Sequence, residues 1–171
     1  YNQNVKVESS ANSPIKRKSE IEDRWGTGDA KVTKVEIFDE KNELNHNLLT
    51  GRRARLRLHY TANEVINAPN ISIAILDQMN TVVCYCSNIF EGQRESLSLP
   101  KGKGYIDCDF PVVSLMPGTF TIQTKISLGV YKIDVLSEAE YFNVTSDAEI
   151  FHQTNGAGMF FQQSVWNLTV L

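Results

Sequence analysis

Cys84 and Cys86 stand two residues apart, a spacing that puts both thiols on one face of an extended strand. A zinc site built on them would need two more ligands, and Cys108 with His59 are the residues placed to supply them. The competing reading is three small side chains packed into or beside a core. The histidines are His46, His59 and His152, and none falls in a His-Glu-x-x-His or other close ligand pair. A Cys–His nucleophile pair would have to be assembled by the fold, because no local signature marks one. There is no Gly-x-Ser-x-Gly elbow. Lys101-Gly-Lys-Gly104 lacks the spacing of a phosphate loop and precedes a strand, so it reads as a mobile hairpin loop. The acidic residues are scattered, and no carboxylate pair for glycoside hydrolysis stands out. The sequence therefore predicts no catalytic residue, no metal ligand set and no cofactor.

Residue types suited to binding are easier to find. In 53–60, Ala54, Leu56, Leu58 and Tyr60 alternate with Arg53, Arg55, Arg57 and His59. The outward set offers planar, multiply donating side chains that can fork onto hydroxyl groups. Gln123 and Lys125 fall on the outward side of a second alternating run, and Tyr85 supplies a ring that could cover a sugar C–H face. Arg55, Arg57, His59, Tyr85, Gln123 and Lys125 are the candidate carbohydrate-binding residues. Asn88, Tyr141 and Asn143 are similar in type. The competing reading for each is an ordinary solvated polar position.

The elements that must position these residues are strands. Residues 32–38 alternate, and Asp39 to Glu43 make a turn. The 53–60 run is a half-buried antiparallel strand. Ile71, Ile73 and Ile75 point inward from the next strand, and Asp77 to Asn80 turn it into 82–86. Leu97 to Gly104 reads as a loop, 105–110 as a strand, and Met116 to Thr119 as a turn into the alternating 120–126. Shorter strands follow at 130–135 and 141–145, with a single helical turn expected around Ser137 to Ala139. Strands at roughly ten-residue spacing, separated by Pro and Gly turns, predict an all-β sandwich of about eight to ten strands. Its expected core is Ala54, Leu56, Leu58, Tyr60, Ile71, Ile73, Ile75, Phe120, Ile122, Ile126, Phe142 and Val144.

With 171 residues and 42% hydrophobic content, the chain is sized for one globular unit. A net charge of −3 gives no general attraction to nucleic acid. No apolar run reaches the ~18 residues of a membrane span. Three cysteines without framework spacing argue for reduced thiols rather than a secreted disulfide scaffold. Residues 1–23 are polar and of mixed charge, including Lys16-Arg17-Lys18 before Glu20, Glu22 and Asp23, and are expected to be a linker. At the other end, Met159 to Leu171 is strongly strand-forming and follows a Gly-containing hinge at 152–158. An apolar terminal strand must pair somewhere, and a flexible hinge lets it add to its own sheet or a partner's. A homodimer through this strand is expected, the alternative being a last strand folded back on its own chain.

Arg24-Trp-Gly-Thr-Gly-Asp-Ala-Lys-Val32 is the most specific stretch. It reads as an entry turn, with glycines permitting unusual backbone angles and the Trp as an apolar anchor. It also resembles the opening of the C-terminal domain of the Wzt-type ATP-binding subunit of ABC transporters that export O-antigen polysaccharide. The Leu56 to Glu64 block, Ile71 to Asp77 with its hairpin, the Leu99-Pro to Gly104 loop, Leu115-Met-Pro-Gly-Thr-Phe120 and Phe142-Asn-Val are similar too, over about residues 22 to 168. The resemblance implies an Ig-like sandwich, residues 24–171, fused after an ATPase domain. Tyr1 at the start agrees with a fragment of such a chain. It further implies non-catalytic recognition of the finished O-polysaccharide, at its non-reducing terminus, before export. The implied setting is cytoplasmic, at the inner face of the bacterial inner membrane, with the rest of the transporter as partner. A purely structural dimerisation module and a sugar-active enzyme are the alternatives.

Overall fold

The structure is a computed structural model that describes residues 23–90, 92, 95, 97–146 and 160. The expected linker apart from Asp23, the expected hinge, and the expected terminal strand apart from Phe160 lie outside the described residues. The described residues form eleven strands: β1 Arg24–Trp25, β2 Ala30–Phe38, β3 Asn47–Leu49, β4 Ala54–Ala62, β5 Ile66–Asn67, β6 Asn70–Leu76, β7 Val82–Ser87, β8 Ser98–Leu99, β9 Gly102–Phe110, β10 Gly118–Leu128 and β11 Tyr131–Thr145. There is no helix among the described residues. The excess over the expected eight to ten comes from two-residue strands, which carry no periodicity to read.

The strands stack as two main sheets. One runs β1-β11-β10-β6-β7, with β3 added parallel to β11, and the other runs β2-β4-β9. A small pair, β5-β8, stands apart. The remaining pairings are antiparallel, as the inward-outward alternation requires. All twelve expected core residues are buried between the sheets, Leu56 and Ile122 with no exposed surface at all. The architecture is an Ig-like antiparallel sandwich.

Three local expectations are corrected. Ser137 to Ala139 form no helical turn; they lie inside β11, where the pairing with β10 shifts between Ile122–Glu140 and Thr124–Leu136. Extra residues on one strand are absorbed as a bulge, which disturbs the alternation that would have revealed a single long strand. Lys103 and Gly104 are not a hairpin loop but part of β9, since Gly104 pairs with Tyr60 and leaves room for its ring: a Cβ there would stand 2.6 Å from the Tyr60 hydroxyl. In β2 a bulge between Val32 and Lys34 breaks strict alternation, so that Val32 and Val35 both enter the core while Thr33 and Lys34 both face out.

The entry turn is also anchored differently from expectation. β1 lies antiparallel on β11, Arg24 opposite Leu136 and Trp25 opposite Val135. Trp25 remains 55% exposed, and the anchor is Arg24. Its guanidinium bonds the buried Asp134 carboxylate at 3.0 and 3.1 Å and the Val32 carbonyl at 2.7 Å, while the Val32 amide donates to Asp134 at 2.9 Å. Gly26 then crosses β11 with φ of +134°, and a Cβ at that position would meet the Ile133 carbonyl oxygen at 2.4 Å. Only glycine tolerates both the angle and the approach.

Candidate functional site: the outer face of the three-stranded sheet

Register builds this face row by row. Phe38, Arg55 and Asp109 lie side by side on β2, β4 and β9; Glu36, Arg57 and Asp107 form the next row, and Lys34, His59 and Tyr105 the next. The alternation that buries Leu56 and Leu58 turns all of these outward. Arg57 is held by Asp107 in a two-point fork, Nε to Oδ1 at 2.7 Å and Nη2 to Oδ2 at 2.9 Å. The same guanidinium lies 4.0 Å from the Tyr105 ring centre and 5.4 Å from that of Phe38, and Arg55 lies 4.6 Å from Phe38. Stacking and forking together fix planar cations in place before any ligand arrives.

Glu36 accepts from Lys34 at 2.6 Å and meets His59 Nε2 at 2.7 Å. The Lys34 bond first, then the His59 bond, pull the Glu36 carboxyl down to about 2. Arg57 likewise holds Asp107 below the usual carboxylate range. With Nε2 donating to Glu36, a neutral His59 keeps Nδ1 as an acceptor. Beside His59 lies a shallow hollow of about 210 Å³, lined by Thr33, His59, Tyr60, Thr61, Lys103 and Gly104. The Tyr105 ring, 6.0 Å from His59, is 56% exposed at its side.

The six sequence-predicted residues divide between the two sheets. Arg55, Arg57 and His59 gather here. Tyr85, Gln123 and Lys125 gather on the outer face of the six-stranded sheet, where Tyr85, Ala74 and Gln123 form one row and Ser87, Ser72 and Lys125 the next. Lys125 donates to the Tyr85 hydroxyl at 3.1 Å, and Phe90 sets its ring edge against Tyr85 at 6.0 Å. Burial pushes the Tyr85 phenol up, but Ser72 and Lys125 outweigh it and leave it below the ordinary value. Asn88 is committed to structure, bonding the Ile71 amide and the Pro69 carbonyl.

Sequence reading missed Phe38, Tyr105 and Asp107. The alternation of 105, 107 and 109 lay inside the expected 105–110 strand, and Phe38 at the end of the 32–38 run, but alternation does not tell which strands flank β4. The cysteines do not converge with His59: Cys108 sits beside Leu56 on the inner face of its sheet and His59 on the outer. Cys84 and Cys86 place their sulfurs 3.9 Å apart, and contact with Cys86, then burial, pushes the Cys84 thiol up. Among the described residues no group of three or more His, Cys, Asp or Glu side chains is arranged to hold a metal ion.

The family model described as the Wzt C-terminal domain matches residues 21–160. The chain belongs to that family. A crystal structure of the C-terminal domain of wzt is similar over 89% of this chain and 90% of that one, with a TM-score of 0.73 and 18% identity. More distant likenesses are a Niemann-Pick type C2 protein from Japanese carpenter ant and a CARDB domain from Pyrococcus furiosus. The first has 12% identity and a TM-score of 0.45 over 74% of this chain and 99% of that one. The second has 13% identity and a TM-score of 0.39 over 72% and 98%. No curated protein sequence matches the chain. Wzt C-terminal domain membership places the chain in a subunit of the O-antigen ABC transporter. No helix among the described residues is long and apolar enough to cross a membrane.

Proposed function

We propose that this Wzt C-terminal domain recognises the O-polysaccharide, at its non-reducing terminus, and selects it for export without chemically altering it. The observation that carries this reading is the preorganised outer face of the three-stranded sheet. Its guanidinium groups are already stacked and forked, an exposed Tyr105 ring lies among them, and a shallow hollow opens beside His59. A ring for the C–H face of a sugar and fixed donors for its hydroxyls are what glycan binding needs. The setting that follows from this reading is the cytoplasmic face of the inner membrane, with the transporter as partner. Isothermal titration with intact and end-trimmed polysaccharide tests it. Heat with intact chains only is expected, reduced in Arg57→Ala and His59→Ala at unchanged Tm. No heat with either would favour a structural module, and release of product would favour an enzyme.

A second placement has its own observation. On the six-stranded sheet the Gln123 amide makes no hydrogen bond among the described residues and lies in the row of Tyr85, whose ring is 43% exposed. Full binding in Arg57→Ala and His59→Ala but lost binding in Gln123→Ala would move the site there.

A further inference from the structure

Thr61 is the second outward residue of β4 beyond Arg57, and its row is Lys31–Thr61–Lys103. Direct cross-strand partners share a face, so both lysines leave the outside of the sheet one strand spacing of about 4.8 Å to either side of Thr61, and the Lys31 arm runs to Gly28, its Nζ 3.9 Å from where a Cβ would stand there. The bulge at Thr33 adds a second hydroxyl to the same hollow. Thr33, Thr61 and Lys103 form no side-chain hydrogen bond or ion pair among the described residues. Of the nearby acids, Glu36 and Glu64 are paired with lysines and Asp29 with a neutral hydroxyl. Glu36 is held by Lys34 and His59, Glu64 accepts from Lys101 at 2.8 Å, and Asp29 accepts from Thr27. Asp134, which feels Lys31 through space, lies in the core with Arg24. Lys103 lines the hollow and has no ion-pair partner among the described residues.

We propose that the hollow beside His59 seats an acidic sugar residue, its carboxylate drawn to the Lys103 ammonium that lines it, with Lys31 swinging across from Gly28 as the second cation. The lysine arms are long enough to converge over Thr61, and as point charges with three donors each they suit a single carboxylate. The Thr33 and Thr61 hydroxyls and His59 Nδ1 then meet the sugar's own hydroxyls, while the backbone of β4 and β9 forms the floor. At about 210 Å³ the hollow is smaller than the 300–1,000 Å³ of ordinary small-molecule pockets, as one ring of a longer chain requires. This deepens the glycan reading and rests on it for the larger ligand.

The probes are glucuronate, galacturonate and glucose, added at millimolar concentration to the 15N-labelled 171-residue chain. The uronates are expected to shift the amides of Thr33, Thr61, Lys103 and Gly104, and glucose to bind more weakly. Lys103→Ala and Lys31→Ala are each expected to weaken uronate binding about tenfold, the size of one hydrogen bond to a charged group, and to leave glucose unchanged. Met79→Ala, in the exposed turn between β6 and β7, is expected to change neither. Equal responses to glucose and uronate, or uronate shifts unaffected by both lysine substitutions, overturn the proposal. Intact O-polysaccharide is titrated alongside. Polysaccharide shifts on this face with no uronate shifts would sink the acidic-sugar proposal alone. Uronate binding with no polysaccharide binding would sink the recognition reading and leave the hollow as an acid-binding site.

Discussion

Single side chains on this protein are held by charge in two different settings, and each makes a prediction. Glu36 sits on the surface with its pKa lowered from the ordinary 4.5 to about 2. A carboxyl depressed in the folded state stabilises the fold above the unfolded value and loses that contribution as pH falls through the folded one. The advantage of wild type over Glu36→Gln is therefore full at pH 5 and above and declines from about pH 4.5 toward pH 2. Urea midpoints of both proteins across that range check it, and a difference that does not vary with pH would contradict it. Arg24 is the opposite case, because its partner Asp134 is buried. Arg24→Leu strands a carboxylate in the core and is expected to cost about 3–5 kcal/mol, with the loss partly recovered in Arg24→Leu/Asp134→Leu. Thr124 carries a buried hydroxyl with no partner among the described residues, so Thr124→Val is expected to stabilise by about 1 kcal/mol. Equilibrium denaturation measures all three.

Among the elements, legibility followed regularity. β4 and β10 alternate without interruption over their inward sets, and their faces were readable residue by residue. β4 also packs against both neighbours of its sheet, so Leu58→Ala is expected to cost about 2–5 kcal/mol by cavity formation, read as a lower urea midpoint at unchanged slope. Where a bulge intervenes, reading failed. Thr33 shifts the phase of β2, and Ser137 to Ala139 interrupt β11 enough to suggest a helical turn. The candidate site was legible on one strand only: Arg55, Arg57 and His59 were visible in β4, whereas Tyr105, Asp107 and Asp109, inside the strand read at 105–110, complete the face because β9 pairs with β4, which alternation does not reveal. That Tyr85, Gln123 and Lys125 face the other way is a matter of which sheet each strand joins, and alternation carries no information about that. The entry turn allows one more test. Gly26→Ala meets both the positive φ and the Ile133 carbonyl, and is expected to lower stability by more than about 1 kcal/mol.

For the whole molecule, the assembly expected from the tail remains a proposal. Phe160 is the one described tail residue, paired as an antiparallel bridge with Leu115 and 55% exposed. We propose that two copies associate through the terminal strand. Deleting 156–171 is expected to give a folded monomer by light scattering, and a truncated protein that stays dimeric would remove the tail as the main contact.

The pairing of β1 with β11 has a consequence for biosynthesis. Arg24 emerges from the ribosome 110 residues before its partner Asp134. At about 5–20 residues per second, the nascent chain holds that guanidinium without its carboxylate for on the order of 5–20 s. The strand that receives the entry turn is the last described one to be made, so the sandwich cannot close progressively from its amino end. β1 is sealed only after β11, the last described strand, has been made.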